Sequence, residues 1–443
     1  MGDTHFKHPK GNVFYRKMAH ARPCISHGEG AYLVDTAGKR YLDASGGPIV
    51  VNVGHGRPEV VEAMRKQLES VAYVHASMFT SDVLERYCER LATHVPLEAP
   101  RFYFLSSGSE VVEAALKLAR QIQLARGHQE RDLIISRRQS YHGMTLGALG
   151  VSGRPWLRAP YTAMMRDTPH VSPPYPYRDA RTGTEYAAEL EATIEAAGAE
   201  NVAAFLAEPI SGASLGGAVP PPDYWPAMRA VCDRYGVLLI ADEVLVGLGR
   251  TGKMWALDHW DVVPDILVTS KGLAGGYFPL GFLAARGSDV EQIRQVLGDF
   301  NHGGTFSHHP VGAAAGLAVL EIIEREGLVQ RAAKMGATLT TALNARFGAH
   351  PAVGDIRGIG LFQGLELVAD RDSKTPFEAS RKVATAVHNA AFEAGVSVYY
   401  SQGCVDGTRG DLIMFGPPLI IDETDIAQMV DVTAKAIDTV LAR

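Results

Sequence analysis

Five short apolar runs punctuate the middle of the chain: Phe102–Leu105, Leu133–Ile135, Val202–Leu206, Val237–Ile240 and Ile266–Val268. Runs this short, without polar alternation, read as strands buried on both faces, the pattern of a parallel sheet. Each is followed by a polar or Gly-rich loop and then by helical periodicity, as at Val111, Val112, Ala115, Leu118, Ala119 and Ile122. The alternation predicts an α/β fold. In open α/β sheets ligands sit beyond the carboxyl ends of the strands. The loops Ser107-Gly108-Ser109, Tyr141-His142, Glu208-Pro209, Asp242-Glu243 and Ser270-Lys271 are therefore expected to converge on one site.

The flanks have a different texture. Residues 1–62 hold short β-like pieces, Ala31–Val34 and Arg40–Leu42, and residues 316–443 mix helices with strands such as Gly360–Leu367. The expected organisation is a large domain over 63–315, with 1–62 and 316–443 combining into a smaller α+β domain. Ser172–Pro176 and the Gly/Pro-rich stretch 212–222 read as loops, and no internal repeat is found.

Composition narrows the partners. A chain of 443 residues, 46% hydrophobic and 21% charged, can bury a large core. Its net charge is -6 and its 43 Lys and Arg are scattered, which leaves no electrostatic footprint for nucleic acid. Met1–Lys17 lacks an apolar leader core, and no apolar run reaches the roughly 18 residues of a membrane span, so a soluble cytoplasmic protein is expected. Cys24, Cys88, Cys232 and Cys404 are far apart and form no C-x-x-C, which points to reduced thiols. His302, His308 and His309 lack ligand spacing, so no metal is expected.

Candidate chemistry sits at the strand ends. Ser107-Gly108-Ser109-Glu110 opens a helix; Ser109 suits an N-cap, and the loop offers backbone N–H groups to an anion, although a plain capped helix accounts for the same letters. Asp242 ends an apolar strand, where a carboxylate is costly to bury without a cation or a strong donor such as a protonated pyridine nitrogen. Metal and ribose sites use a strand-end Asp too. Lys271, followed by Gly272, Gly275 and Gly276, projects an amine into the same cleft, and a lysine of lowered pKa forms imines with carbonyls. A lone lysine is ordinarily solvated; the order anion loop, Tyr141-His142, Asp242, Lys271 is what singles this one out. Tyr141 suits stacking on a flat ring, as it suits a core or rim position, and His142 can hydrogen-bond beside it. Gly247-Leu248-Gly249-Arg250-Thr251-Gly252 matches G-x-G-x-x-G letter for letter. It trails its strand and leads into Lys253-Met254-Trp255 without an amphipathic helix, so it reads as a tight loop rather than a dinucleotide site.

Taken together, these residues make the chain resemble the class III aminotransferases, fold-type-I pyridoxal-phosphate enzymes that include the ω-amino-acid:pyruvate transaminases. The resemblance runs nearly end to end. It rests on Asn52-Val53-Gly54-His55-Gly56, Ser107-Gly108-Ser109-Glu110, Tyr141-His142-Gly143, Glu208-Pro209, Asp242-Glu243-Val244, Gly249-Arg250-Thr251-Gly252, Ser270-Lys271-Gly272, Gly303-Gly304-Thr305-Phe306-Ser307, Arg357-Gly358-Ile359-Gly360 and Pro417-Pro418-Leu419. It implies a mostly parallel seven-stranded sheet in the large domain and pyridoxal 5'-phosphate as cofactor. Lys271 would carry the cofactor as a Schiff base and shuttle the substrate proton, and Asp242 would pair with the pyridinium nitrogen. Tyr141 and Val244 would sandwich the ring, with His142 and Glu208 beside it. Ser107, Gly108 and Ser109 would hold the phosphate. Thr305 would reach it from a neighbouring subunit, making an obligate homodimer, with a tetramer left open.

Departures from the family pattern bear on the substrate. The arginine that binds the 2-oxoglutarate carboxylate is replaced by Met414, its gating glutamate by Ala213, and a glutamine near the cofactor hydroxyl by Leu245; the flexible arginine of amine:pyruvate enzymes falls near Tyr400. Arg409, with Tyr400 and Ile49, is left as the expected substrate contact, although a surface or loop-closing pair with Asp406 or Asp411 accounts for Arg409 equally well, and Arg357 is a weaker rival. The expectation is a ping-pong transaminase moving an amino group from a primary amine or ω-amino acid to a small 2-oxo acid, pyruvate first. The same-fold alternative is a decarboxylase or aminomutase, but Pro48, Ile49 and Val50 occupy the segment where decarboxylating relatives carry a glutamine. A non-catalytic binding protein would need neither Lys271 nor Asp242.

Overall fold

The computed structural model describes residues 5–6, 12–18 and 22–442; the start of Met1–Lys17, considered above for a leader, lies outside them. A seven-stranded sheet forms the centre, in the order Arg101–Leu105, Gly281–Ala285, Ile266–Thr269, Leu238–Asp242, Val202–Ala207, Leu133–Arg137, His170–Val171. Gly281–Ala285 runs antiparallel to both neighbours, and the other adjacent pairs are parallel. All five expected runs are strands. The two that the pattern does not reveal are an Ala-rich strand of low β propensity and a two-residue edge.

Period-2 geometry sorts the side chains of each strand between two cores. Leu238 and Ile240 join the layer under helix Gly108–Ala125, and Leu239 and Ala241 join the layer with helices Gly183–Ala197 and Tyr224–Tyr235. Both faces are therefore dry, and truncating a fully buried leucine such as Leu239 to alanine costs about 2–5 kcal/mol.

The flanks build two larger antiparallel sheets beside a two-stranded one, His5–Phe6 with Arg22–Pro23. One has three strands, Ile25–Glu29, Tyr32–Asp35 and Arg40–Leu42; the other has four, in the order Val353–Ile359, Phe362–Leu367, Asp411–Phe415, Tyr399–Gln402. They meet where Leu42 N–H donates to Gly395 O at 2.8 Å and Ser397 N–H donates to Leu42 O at 2.9 Å, so the two ends of the chain are tied together. Helix Pro310–Arg325 runs straight through residues 315 and 316 and packs on Pro58–Ser70 and Asp82–Ala92. Stretches 212–222 and 247–252 are loops and turns, with Gly249 and Gly252 at φ 89° and 85°.

Candidate active site

The parallel ladder pairs Asp242 with Val268, so Lys271, just beyond its strand, emerges beside Asp242 at the same edge of the sheet. The Asp242 carboxylate is buried. Its Oδ2 lies 2.6 Å from His142 Nδ1, and its Oδ1 accepts the Val244 N–H at 3.0 Å. A carboxylate only accepts, so Nδ1 carries the proton. His142 Nε2 is buried with no hydrogen-bond partner among the described residues. Such orphaned polarity is uncommon in a finished core and is typical of a site built for something else.

Lys271 makes no hydrogen bond or ion pair among the described residues. Burial brings its pKa from 10.5 down to about 8, against the pull of Asp242 and Glu208, which raise it. A neutral amine, the nucleophilic form, is thus accessible near neutral pH. Its backbone sits at φ 43°, an uncommon conformation for a non-glycine residue, and Ser270 Oγ anchors the turn by donating to Leu280 O at 2.7 Å.

The anion loop forms, with one correction: the N-cap is Ser107, not Ser109. Ser107 is extended (φ -156°, ψ 162°) and its side chain accepts the Glu110 N–H, whereas Ser109 already lies inside helix Gly108–Ala125. That frees Ser109 Oγ, which accepts the Met144 N–H at 3.0 Å and ties the loop to the Tyr141-His142-Gly143 segment. The first-turn N–H groups of Gly108 and Ser109 have no backbone acceptor among the described residues, as expected at a helix start. A Cβ on Gly108 would lie 3.1 Å from Val244, and one on Gly143 would lie 2.6 Å from Ser109 Oγ, so two glycines keep this corner open.

Tyr141 is half-buried, and burial raises its pKa, with Tyr399, Arg16, Arg154 and Asp242 in electrostatic reach. Glu208 is buried behind, its carboxyl also pushed up by burial; Oε1 accepts the Gly212 N–H at 3.1 Å and Oε2 has no hydrogen bond among the described residues. Fully buried Arg137, overlooked in the sequence although a charge ending an apolar strand is a signal, donates to Glu208 O at 2.6 Å. Thr305 is exposed, beside Phe306, which is 60% exposed.

The expected substrate contacts separate. Tyr400 lines a cavity of ≈ 990 Å³, with Arg16, Lys17, Pro48, Arg154 and Tyr399. Ile49 instead turns into an apolar cluster with Met414, leaving its neighbour Pro48 on the cavity wall. Arg409 is not brought to the site: it is half exposed, donates through Nε to Asp406 Oδ2 at 2.7 Å, and thereby closes its own loop. Arg357 is committed to Asp355 and Glu366, each at 2.8 Å.

Residues 14–437 match the family Aminotransferase class-III, and the chain belongs to it. An uncharacterized aminotransferase of Schizosaccharomyces pombe is 42% identical, over 98% of this chain and 96% of the relative. Two relatives are named for substrates. The diaminobutyrate–2-oxoglutarate transaminase of Halomonas elongata is 34% identical (94% of this chain, 90% of the relative), and the putrescine–pyruvate aminotransferase of Pseudomonas aeruginosa is 32% identical (94% and 91%). The omega transaminase of Pseudomonas jessenii, solved in complex with PMP, superposes at TM-score 0.89 with 34% identity, covering 95% of this chain and 93% of that one. The protein is accordingly a transaminase of fold type I, and its cofactor is pyridoxal 5'-phosphate. The residues fit that group: an uncommitted amine, a buried carboxylate without a strong cation, an orphaned imidazole nitrogen and a helix start kept clear by glycine. No helix among the described residues is long and apolar enough to cross a membrane.

Proposed function

We propose that this aminotransferase moves an amino group from a primary amine or ω-amino acid to a small 2-oxo acid, pyruvate first, in two half-reactions that use one site in turn. The observation that carries the reading is the placement of Asp242 and Lys271 at the ends of neighbouring strands, one locked by His142 and the other without a counter-ion among the described residues. When bound, the cofactor supplies an electron sink for the pair left at the substrate carbon as its proton departs.

Asp242 would keep the ring nitrogen protonated by raising its pKa, and the short bond from His142 holds the carboxylate in place for that task. The Lys271 amine would bond the cofactor's carbonyl carbon and, once displaced by substrate, take and return the proton at the substrate carbon. Ser107, Gly108 and Ser109 would hold the phosphate at the helix start. Tyr141 and Val244 would cover the two faces of the ring, with Glu208 beside Asp242. Thr305 would serve the site of a second copy; exposed Tyr73, Phe79 and Phe306, the first and last with rings 6.3 Å apart, support an apolar face that such a copy covers. The buried, apolar setting of Met414, with Ile49, argues against a 2-oxoglutarate-type carboxylate clamp there.

Separating the half-reactions tests the reading. Amine donor without acceptor is expected to convert the cofactor's absorbance to that of its amino form in one turnover, and pyruvate to restore it. Release of carbon dioxide, or no restoration by any 2-oxo acid, would exclude it.

A further inference from the structure

Arg154 was not among the residues singled out in the sequence, yet with Arg16 it lies within electrostatic reach of Tyr141. Backbone bonds from Gln139 N–H to Gly153 O (2.8 Å) and from Gly153 N–H to Ser140 O (3.1 Å) staple its segment to the residues just before Tyr141. Its guanidinium donates through Nη2 to Ser401 Oγ at 2.6 Å, lies 5.3 Å from the Trp156 ring centroid, and makes no ion pair among the described residues. Burial lowers its pKa from the ordinary arginine value; Tyr399, Glu208 and Tyr141 act against that, and Arg16 adds to it.

The cavity it lines is one-signed. Arg16, Lys17, Arg154 and Lys382 contribute to the wall, and no Asp or Glu does among the described residues lining it. Lys17 is held there by Tyr400, donating to its hydroxyl and lying 4.4 Å from the ring centroid. Low-dielectric walls carrying one sign of charge concentrate ligands of the opposite sign and repel like charge. A planar guanidinium with free N–H groups is suited to bidentate capture of a carboxylate.

Building on the transaminase reading, we propose that Arg154 receives the substrate carboxylate, and that the cationic cavity around it selects carboxylate-bearing substrates over diamines. The 2-oxo acid and the amino acid it becomes would use the same contact, since both present a carboxylate beside the reacting carbon. For an ω-amino acid donor, the distal carboxylate would take that place. A diamine would bring a second ammonium against Arg16, Lys17 and Arg154.

The test compares pyruvate with propanal, an uncharged acceptor of the same chain length, in the second half-reaction. Arg154→Gln is expected to lower kcat/KM for pyruvate roughly 10- to 100-fold, the loss that accompanies a charged hydrogen bond, and to leave propanal within about threefold. Arg154→Lys should recover part of the loss. Calorimetry with propionate, which cannot react, should show binding weakened about tenfold in Arg154→Gln, a readout independent of turnover. The wild type should also prefer 4-aminobutyrate to putrescine as donor. Equal losses for pyruvate and propanal, unchanged propionate binding, or a selective pyruvate loss in Arg409→Ala but not in Arg154→Gln would overturn the assignment, as a preference for putrescine would overturn the selectivity. A wild type that exchanges amino groups with no carbonyl compound at all would bring down the transaminase reading as well; wild-type turnover with an unaltered pyruvate-to-propanal ratio in Arg154→Gln overturns Arg154 alone.

Discussion

His142 Nδ1 approaches Asp242 Oδ2 to 2.6 Å, and neither side chain is exposed beyond 4%. The pair holds the carboxylate in place and leaves it without a strong cationic donor among the described residues. Asp242→Asn keeps the volume but removes the charge that favours a protonated ring nitrogen. The donor half-reaction is expected to slow on the order of a thousandfold, several kcal/mol of transition-state stabilisation. Single-turnover absorbance measures it, and an unchanged rate would show that ring protonation is not the task of Asp242.

Lys271 ties activity and stability to pH in opposite halves of the titration. Nucleophilic attack needs the neutral amine, so re-addition of cofactor to the cofactor-free protein should speed up as pH rises through about 8 and then level off. Stability follows from the same shift. A lowered lysine pKa means that the native state binds fewer protons than the unfolded chain between about 8 and 10.5, so the penalty is full below about 8 and fades towards 10.5. Cofactor-free Lys271→Met should therefore exceed the wild type in stability at pH 7, by on the order of 1–3 kcal/mol, with the gap narrowing by pH 10. Urea titrations at both pH values check it; a gap that does not change with pH would deny that the burial of this charge is responsible.

Lys271→Ala should abolish sustained turnover while cofactor is still bound noncovalently through the phosphate loop and Asp242. Wild-type-like turnover in this variant is the outcome that would remove the assignment of the amine.

At Gly143, φ 139° and a Cβ position 2.6 Å from Ser109 Oγ leave no room for a side chain. Gly143→Ala is expected to push Ser109 out of line and weaken cofactor retention about tenfold or more, with the fold and helix content intact. Equilibrium dialysis against free cofactor, alongside circular dichroism, separates this local effect from misfolding.

Thr305→Ala should loosen the cofactor by about 1.5 to 3 kcal/mol if its hydroxyl reaches a charged phosphate. Across a shared interface, mixing Thr305→Ala with Lys271→Ala subunits places both lesions in one site and leaves the other intact. Activity recovered at low cofactor concentration, above that of either parent, is the expected result; no recovery at any mixing ratio would return Thr305 to its own subunit.

Much of this arrangement was legible in the chain because buried parallel strands announce themselves as unbroken apolar runs. The loops after Ile240 and Val268 could be expected to meet from that pattern alone, and they do. Gly281–Ala285 escaped notice since Gly-Phe-Leu-Ala-Ala carries little β preference; only its place between two other strands makes it one. The N-cap slipped by two residues because both serines suit the role and the choice rests on backbone angles that the letters do not encode. The letters already set Asp406 and Asp411 beside Arg409 and no carboxylate beside Arg154. The structure closes the Arg409–Asp406 pair, whereas no carboxylate pairs with Arg154 among the described residues.

The ladder that sets Asp242 opposite Val268 also bears on how such a site can diverge. Register is maintained by backbone bonds and buried side chains inside the sheet, whereas the cavity is lined from outside it, by the segment around Arg154, by helix Val383–Glu393 and by strand Tyr399–Gln402 of the four-stranded sheet. A change in one of those segments leaves the spacing of the carboxylate and the amine untouched, because neither is measured through it. New substrate preferences can therefore arise by insertion, deletion or single replacement around Arg154 and Tyr400 without passing through an inactive ancestor, whereas any change of length within Leu238–Asp242 or Ile266–Thr269 would shift the two reactive groups apart at once.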